Sequence, residues 1–181
     1  MLREDPLDGL LDDLERQAEG LHLADRAAEV ADLRIAQDAE VGLAGRWHAS
    51  VDRLLRVVTA DGWAVEGQLV RAGADWVVLE GGSGRGWALH LRFVATVVGL
   101  ADGTVPAEAR PLSARLSLGS VLRGIAETPE PVAVRVVGGL VVHGTVTRVG
   151  ADFVELRLES GEPTVVPFGA LVAVQLGSGG G

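Results

Sequence analysis

The chain has 181 residues, of which 48% are hydrophobic, and its formal net charge is −9 at pH 7. It contains no cysteine, which excludes a disulfide framework and any thiolate metal or redox site. The negative charge argues against a general polyanion-binding protein, because phosphate contacts need positive potential. Its apolar runs, such as 132–137, are far shorter than the roughly 20 residues that span a bilayer, so we expect no membrane contact.

Residues 1–46 are predicted to form an acidic helical leader. Asp5 and Pro6 suit the start of a first helix, and a second helical pattern runs over 21–43. Acidic residues such as Asp8 do not fit a secretory signal, so we expect a cytoplasmic protein. The amphipathic leader is either a solvated helical hairpin over a barrel or a docking segment for a protein partner. Both remain open, because an amphipathic pattern shows that one face is buried but not what buries it.

An internal repeat follows the leader. The stretch 57–97 aligns without a gap with 134–174, 77 positions further along the chain. The matches lie at turn and core positions alike, and include Gly62 with Gly139, Gly67 with Gly144, Arg71 with Arg148 and Asp75 with Asp152. Ordered matches of this kind indicate two tandem copies of one small domain.

The first copy, residues 47–100, reads as five short strands. They are predicted at 55–59, 64–70, 76–79, 87–91 and 94–98. Asp61 and Gly62 are typical of a hairpin turn. The glycine-rich stretch 81–86 is interpreted as a hairpin loop and not a phosphate loop, because strands flank it on both sides. Gly67 and Gly144, in mid-strand, predict sharp bends or bulges of the kind a small barrel needs.

The second copy, residues 117–176, follows a linker at 101–116. It opens with a short helix at 117–127, and its strands are predicted at 132–137, 140–147, 152–158, 164–167 and 171–176. Residues 177–181 read as a flexible tail. The fold class is therefore mainly β with α: two tandem five-stranded barrels behind a helical leader.

The pattern resembles the Sm-like fold, the family of the Sm and Sm-like proteins and bacterial Hfq. The resemblance rests on a short helix, a β-branched strand, the repeated glycines, Asp75 or Asp152 before an apolar third strand, and a closing strand at 94–97 or 171–174. It covers residues 47–100 and 117–176, and the whole chain also resembles actinobacterial proteins with such a leader. It implies bent SH3-like or Sm-like barrels, ring assembly through strands four and five, and RNA bound by loops near a pore.

The chain departs from that family at the residues that bind RNA. Sm proteins usually place asparagine shortly after the third-strand aspartate, and the stretches 76–78 and 153–155 contain none. Hfq has a Lys-His pair before its last strand, where this chain has 92–93 and 169–170, Arg-Phe and Gly-Ala. The resemblance therefore carries over the fold better than the RNA chemistry.

Two matched sets of residues are candidates for a repeated ligand site. They are Arg71, Asp75 and Trp76 in the first copy and Arg148, Asp152 and Phe153 in the second. An Arg fork beside a carboxylate can bind a planar partner, and the aromatic ring can stack on a base. The alternatives are an Arg–Asp pair that ties a turn to the barrel and a ring that packs in the core.

Nothing in the sequence marks a catalytic centre. The four histidines lack the spacing of metal ligands, and no poised nucleophile or carboxylate pair stands out. We therefore expect no metal, no cofactor and no enzymatic activity.

Two functions remain as hypotheses. The first is an Sm-like assembly and binding protein, a homo-oligomer joined through open barrel edges. Three such chains would make a pseudo-hexamer, and RNA or single-stranded nucleic acid is the ligand that the resemblance implies. The second is a protein-interaction adaptor that uses the barrels and the acidic leader and has no nucleic-acid role.

Overall fold

The computed structural model describes residues 42–82, 85–128 and 130–176. The predicted leader, apart from 42–46, and the predicted tail lie outside these ranges. None of the helices in the described part of the chain combines the length and hydrophobicity needed to cross a membrane.

The described chain alternates two short helices with two groups of five strands. The first group comprises α1 (Leu43–Ala49), β1 (Leu54–Thr59), β2 (Ala64–Ala72), β3 (Trp76–Glu80), β4 (Gly86–His90) and β5 (Val94–Val98). The second comprises α2 (Leu118–Ala126), β6 (Pro131–Val136), β7 (Val141–Val149), β8 (Phe153–Leu158), β9 (Pro163–Pro167) and β10 (Leu171–Leu176). The predicted strands are confirmed to within two residues, as is the mainly β class with helices.

All ten strands belong to one antiparallel sheet in the order β5-β1-β2-β3-β4-β10-β6-β7-β8-β9. The same five-strand pattern therefore occurs twice, and β4 of the first copy pairs directly with β10 of the second. Among the described residues the sheet is open, with β5 at one edge and β9 at the other. The two copies are thus joined by backbone pairing and not only by a linker.

The repeat recurs in backbone geometry as well as in sequence. A bulge between Leu69 and Arg71 in β2 has its equivalent between Val146 and Arg148 in β7. The Gly73 N–H donates to the Trp76 carbonyl at 2.8 Å, and 77 residues later Gly150 donates to Phe153 at 2.8 Å. Each copy therefore adopts the same backbone, and equivalent positions can be compared directly.

Gly67 and Gly144 are required by the close approach of a neighbouring strand. A Cβ atom on Gly67 would lie 2.6 Å from the Glu80 carbonyl oxygen, and one on Gly144 would lie 2.6 Å from that of Arg157. Of the predicted bend or bulge at these glycines, the bulge does not occur there: the bulge of each strand lies beyond the glycine. Absence of a side chain lets the two backbones touch.

The core has two parts, and each contains residues of both copies. The first surrounds Leu55, Leu69 and Leu79 and includes Val172 and Ala173 of β10. The second surrounds Leu118, Leu122 and Leu156 and includes Trp76, Val78 and Ala88 of the first copy. Strand β3 is therefore buried on both faces, whereas a strand of a sheet with one solvent-exposed face would be buried on one face only.

Candidate functional site

The junction between the two copies is the most distinctive site of the fold. In its register Ala173 lies opposite Leu89, and Val174 lies opposite Ala88. Ala88, Ala173 and Val174 are all fully buried. The fourth strand of one copy and the fifth strand of the other thus make a dry, paired interface.

The loop before β3 binds the start of helix α2. The Leu118 N–H donates to Asp75 Oδ1 at 2.7 Å, while Trp76 Nε1 and the Ala74 N–H donate to the Leu116 carbonyl at 2.8 and 3.0 Å. Ser117, which precedes the helix, makes no side-chain cap of its own. Asp75 therefore supplies the acceptor that the helix N-terminus needs, and its negative charge suits that end of the helix dipole.

His90, the last residue of β4, also contacts the second copy at this junction. Its Nδ1 lies 3.2 Å from the Leu171 carbonyl oxygen, and its Nε2 lies 3.9 Å from Asp75 Oδ2. The residue is 8% exposed, and this burial holds the pKa of His90 below its ordinary value, against the raising effect of Leu171 and Asp75. A neutral ring that donates from Nδ1 suits this place, so His90 acts here as a structural link between the copies.

A second set of contacts crosses between the copies at the turn after β1. The Arg135 guanidinium lies 4.7 Å from the centre of the Trp63 ring, and its Nη2 lies 3.0 Å from Asp61 Oδ2. Trp63 in turn meets Trp87 edge to face, with ring centres 5.0 Å apart. Hydrogen bonds, first from the Thr59 hydroxyl, and the Arg135 charge lower the pKa of Asp61. This cluster stacks a cation on an aromatic pair.

Sequence reasoning missed this cluster, although a signal for it is present. Its positions differ between the copies: Gly138, Leu140 and Thr164 stand where the first copy has Asp61, Trp63 and Trp87, and Val58 stands where the second has Arg135. These four differences between the copies lie where residues of the first copy meet Arg135 of the second.

The three site residues predicted in the first copy belong to this junction. Arg71 is exposed, and Trp76 is 4% exposed with its indole N–H already bonded. The core-packing alternative is confirmed for Trp76, which leaves no free ring face for a base. Within the described residues no ion pair joins Arg71 to Asp75, so the predicted tie between them is wrong; Asp75 binds α2 instead.

The equivalent residues of the second copy stand open. Asp152 is exposed, Phe153 is half-buried, and the Arg148 guanidinium lies 5.1 Å from the centre of the Phe153 ring. The described residues make no hydrogen bond or ion pair with the Asp152 carboxylate. The carboxylate before the third strand therefore binds a helix N-terminus in the first copy, whereas the equivalent carboxylate of the second copy has no partner among the described residues.

The two sheet edges differ in what they offer a partner. Beside β5 lies an apolar groove of about 220 Å³, which is lined by Leu43, Ala44, Trp47, Leu91 and residues 94–97. Ala95 and Thr96 of this edge are exposed, whereas their equivalents in β10, Val172 and Ala173, are buried. The β5 edge is thus uncovered among the described residues, whereas the equivalent strand β10 is covered by β4.

Two prolines reduce the number of backbone N–H donors along the β9 edge. The Phe168 and Leu158 N–H groups donate to the carbonyls of Asp152 and Glu162, at the two ends of the β8–β9 pair. In an antiparallel ladder this alternation turns residues 163, 165 and 167 away from β8. Pro163 and Pro167 have no N–H, so Val165 alone offers a donor at this edge.

A scan against protein-family models finds no family that matches the chain, and a search of curated proteins finds no similar sequence. Within the described residues no group of three or more histidine, aspartate or glutamate side chains is placed to hold a metal ion. The geometry of the junction and the edges therefore carries the functional argument.

Proposed function

We propose that the protein is a non-enzymatic assembly protein whose chains join head to tail, β9 of one chain against β5 of the next. In this proposal each copy is a small Sm-like or SH3-like barrel. The pairing of β4 with β10 within the chain is the observation that supports it, because it joins a fourth strand to a fifth strand of an equivalent copy. The free edges β9 and β5 are the same two kinds of strand.

The junction also gives the register of the proposed contact. In the proposed contact, each residue of the β4–β10 pair is replaced by the residue at the equivalent position of the other copy. Thr96 of β5 then lies opposite Val166 of β9, and Val97 lies opposite Val165. A head-to-tail contact closes into a ring if the rotation per copy allows it. Three chains with two copies each would then make the pseudo-hexamer that the sequence predicts.

The outer contact should be weaker than the junction that it repeats. Glu155 stands where the first copy has the buried Val78, and each proline of β9 removes one donor. Polar groups at such positions cost free energy unless they find partners, and a missing backbone hydrogen bond costs about 1 kcal/mol. We therefore expect an assembly that forms and dissociates with protein concentration.

The native mass of the particle tests this proposal. We expect monomers at low concentration and a threefold mass at high concentration in analytical ultracentrifugation. Ala95→Pro alters the exposed bulge residue of the β5 edge and should leave the chain monomeric, whereas Ala107→Pro, on an exposed turn, should assemble as the native chain does. A native chain that stays monomeric at all concentrations would exclude the ring.

RNA or single-stranded nucleic acid is the ligand that we propose for the assembly. Arg71 and Arg148 are both exposed and occupy equivalent positions, so an assembly would repeat the same positive group around its circumference. Titration with fluorescent oligo-U and oligo-A should show binding at low salt that weakens as salt is raised. An absence of binding at low salt would rule this ligand out.

The adaptor function is the second candidate, and the exposed β5 edge with its apolar groove favours it. An extended peptide can add to such an edge, with main-chain hydrogen bonds giving affinity and the groove giving specificity. Chains that neither assemble nor bind nucleic acid would leave this edge as a site for another protein.

A further inference from the structure

Helix α2 of the second copy faces the first copy across a groove at the junction. The groove has a volume of about 670 Å³, and on the side of the first copy it is lined by Trp76 and Val78, which are both 4% exposed. Val121 and Ile125 of α2 line its other side and pack against the part of the core that contains Val78. An apolar face of α2 therefore covers strand β3 of the preceding copy.

Helix α1 has the equivalent place in the first copy. It ends at Ala49, 77 residues before the end of α2 at Ala126, and each helix contacts the second strand of its own copy. Three equivalent positions of each helix line a groove: 43, 44 and 47 in α1, and 120, 121 and 124 in α2. Beside the β5 edge, α1 therefore presents the face that α2 turns towards β3.

Two positions of this contact change together between the copies. At the junction Ile125 of α2 and Val78 of β3 line the same groove, and both are apolar. His48 of α1 stands at the position of Ile125, and Glu155 of β8 stands at the position of Val78. Both side chains are half-buried, and among the described residues neither has a hydrogen-bond or ion-pair partner. An imidazole donor and a carboxylate acceptor thus replace an apolar pair.

From this exchange we infer that α1 of one chain packs on the β7–β8 face of the preceding chain, with His48 beside Glu155. The inference rests on the proposed function, and it adds a side-chain contact to the pairing of β9 with β5. If that pairing repeats the β4–β10 pairing, it brings α1 over β8 as α2 lies over β3. Leu43, which is 54% exposed in the single chain, would be covered in the same step.

The proposed pair is a hydrogen bond that His48 donates. Burial, and then the charge of Arg110, hold the pKa of His48 below its ordinary value, so the ring is neutral at pH 7 and keeps one N–H. Arg148 lies opposite Glu155 in the β7–β8 register, and Arg157 follows on the same face of β8. These two positive charges also favour an uncharged ring at position 48. The Glu155 carboxylate would lose solvent in the contact, so it needs this donor.

Exchange of the pair for the residues of the junction tests the inference. Glu155→Val in the native chain removes the acceptor of His48 and should raise the half-assembly concentration about fivefold. In a chain that carries His48→Ile, the same substitution recreates the apolar pair of the junction and should lower that concentration instead. Sedimentation of the full-length chains at several concentrations measures both effects. Glu159→Val, which removes an exposed carboxylate from the next turn, should have no effect in either background.

Glu155→Gln gives a second test that leaves α1 unchanged. It keeps an acceptor oxygen for His48, so it should assemble nearly as well as the native chain. Equal losses in Glu155→Gln and Glu155→Val, or an effect of Glu155→Val that is the same with and without His48→Ile, would overturn this contact while the edge-to-edge assembly stands. A native chain that never assembles would overturn the proposed function, and this contact with it.

Discussion

At the scale of single residues, Gly67 and Gly144 let neighbouring strands come into backbone contact. Gly67→Ala would place a Cβ atom 2.6 Å from the Glu80 carbonyl oxygen, so β2 and β3 would have to separate. We expect a loss of about 2 kcal/mol in the free energy of unfolding, as for other overpacked sites. Denaturant unfolding would measure it.

Gly144→Ala should cost a similar amount, because the Arg157 carbonyl lies at the same distance. Gly103→Ala is the matched control, since a Cβ atom there meets nothing within 4 Å. Equal stability of Gly67→Ala and Gly103→Ala would contradict the close approach.

The sequence marks these glycines but not the reason for them. A repeated glycine in a strand indicates a bend, a bulge or a close approach, and only the paired strand decides between these. Asp75 shows the same limit: its nearest cation in the sequence is Arg71, but its partner is the Leu118 N–H, 43 residues away. Local spacing thus singled out Asp75 and assigned it the wrong partner.

At the scale of elements, β9 is an edge strand with two missing donors. Pro163→Val and Pro167→Val together would restore the outward N–H groups that Gly86 and His90 have at the equivalent places in β4. If β9 adds to β5, each restored hydrogen bond should lower the half-assembly concentration about fivefold. Sedimentation at several concentrations would measure this shift.

Pro106→Ala, in the loop before a 3-10 turn, is the control for replacement of a proline outside the edge. It should leave assembly unchanged. If the double β9 variant assembles no better than this control, then β9 is not the strand that meets the next chain.

Strand positions could be predicted because their signals are local. Alternating apolar residues and turn glycines repeat in both copies, and they placed all ten strands. The pairing of β4 with β10 has no local signal, because it joins strands that are far apart in the sequence. The sequence does carry an indirect signal that β3 is covered on both faces. Residues 76–79 of β3 are all apolar, whereas the equivalent stretch of β8 contains the charged residue Glu155.

At the scale of the whole described region, the two copies form one structural unit. The β4–β10 pair makes the sheet continuous, and each part of the core takes residues from both copies. Separation of the copies would expose Trp76, Val78 and Ala88, which are buried against the second copy. The two copies therefore share one sheet and one core, and neither has a core made of its own residues alone.

Unfolding should consequently be a single cooperative transition, and the tryptophans allow a direct test. All four, Trp47, Trp63, Trp76 and Trp87, lie in the first copy; Trp63 and Trp76 also contact the second copy, whereas Trp47 is buried in the part of the core around Leu55. Leu156→Ala removes a fully buried side chain from the second copy and should cost about 2–5 kcal/mol. If the copies unfold together, this substitution lowers the fluorescence-monitored midpoint as much as the midpoint from circular dichroism. Leu112→Ala, at a position 81% exposed, should move neither, and a fluorescence midpoint that Leu156→Ala leaves in place would show that the copies unfold separately.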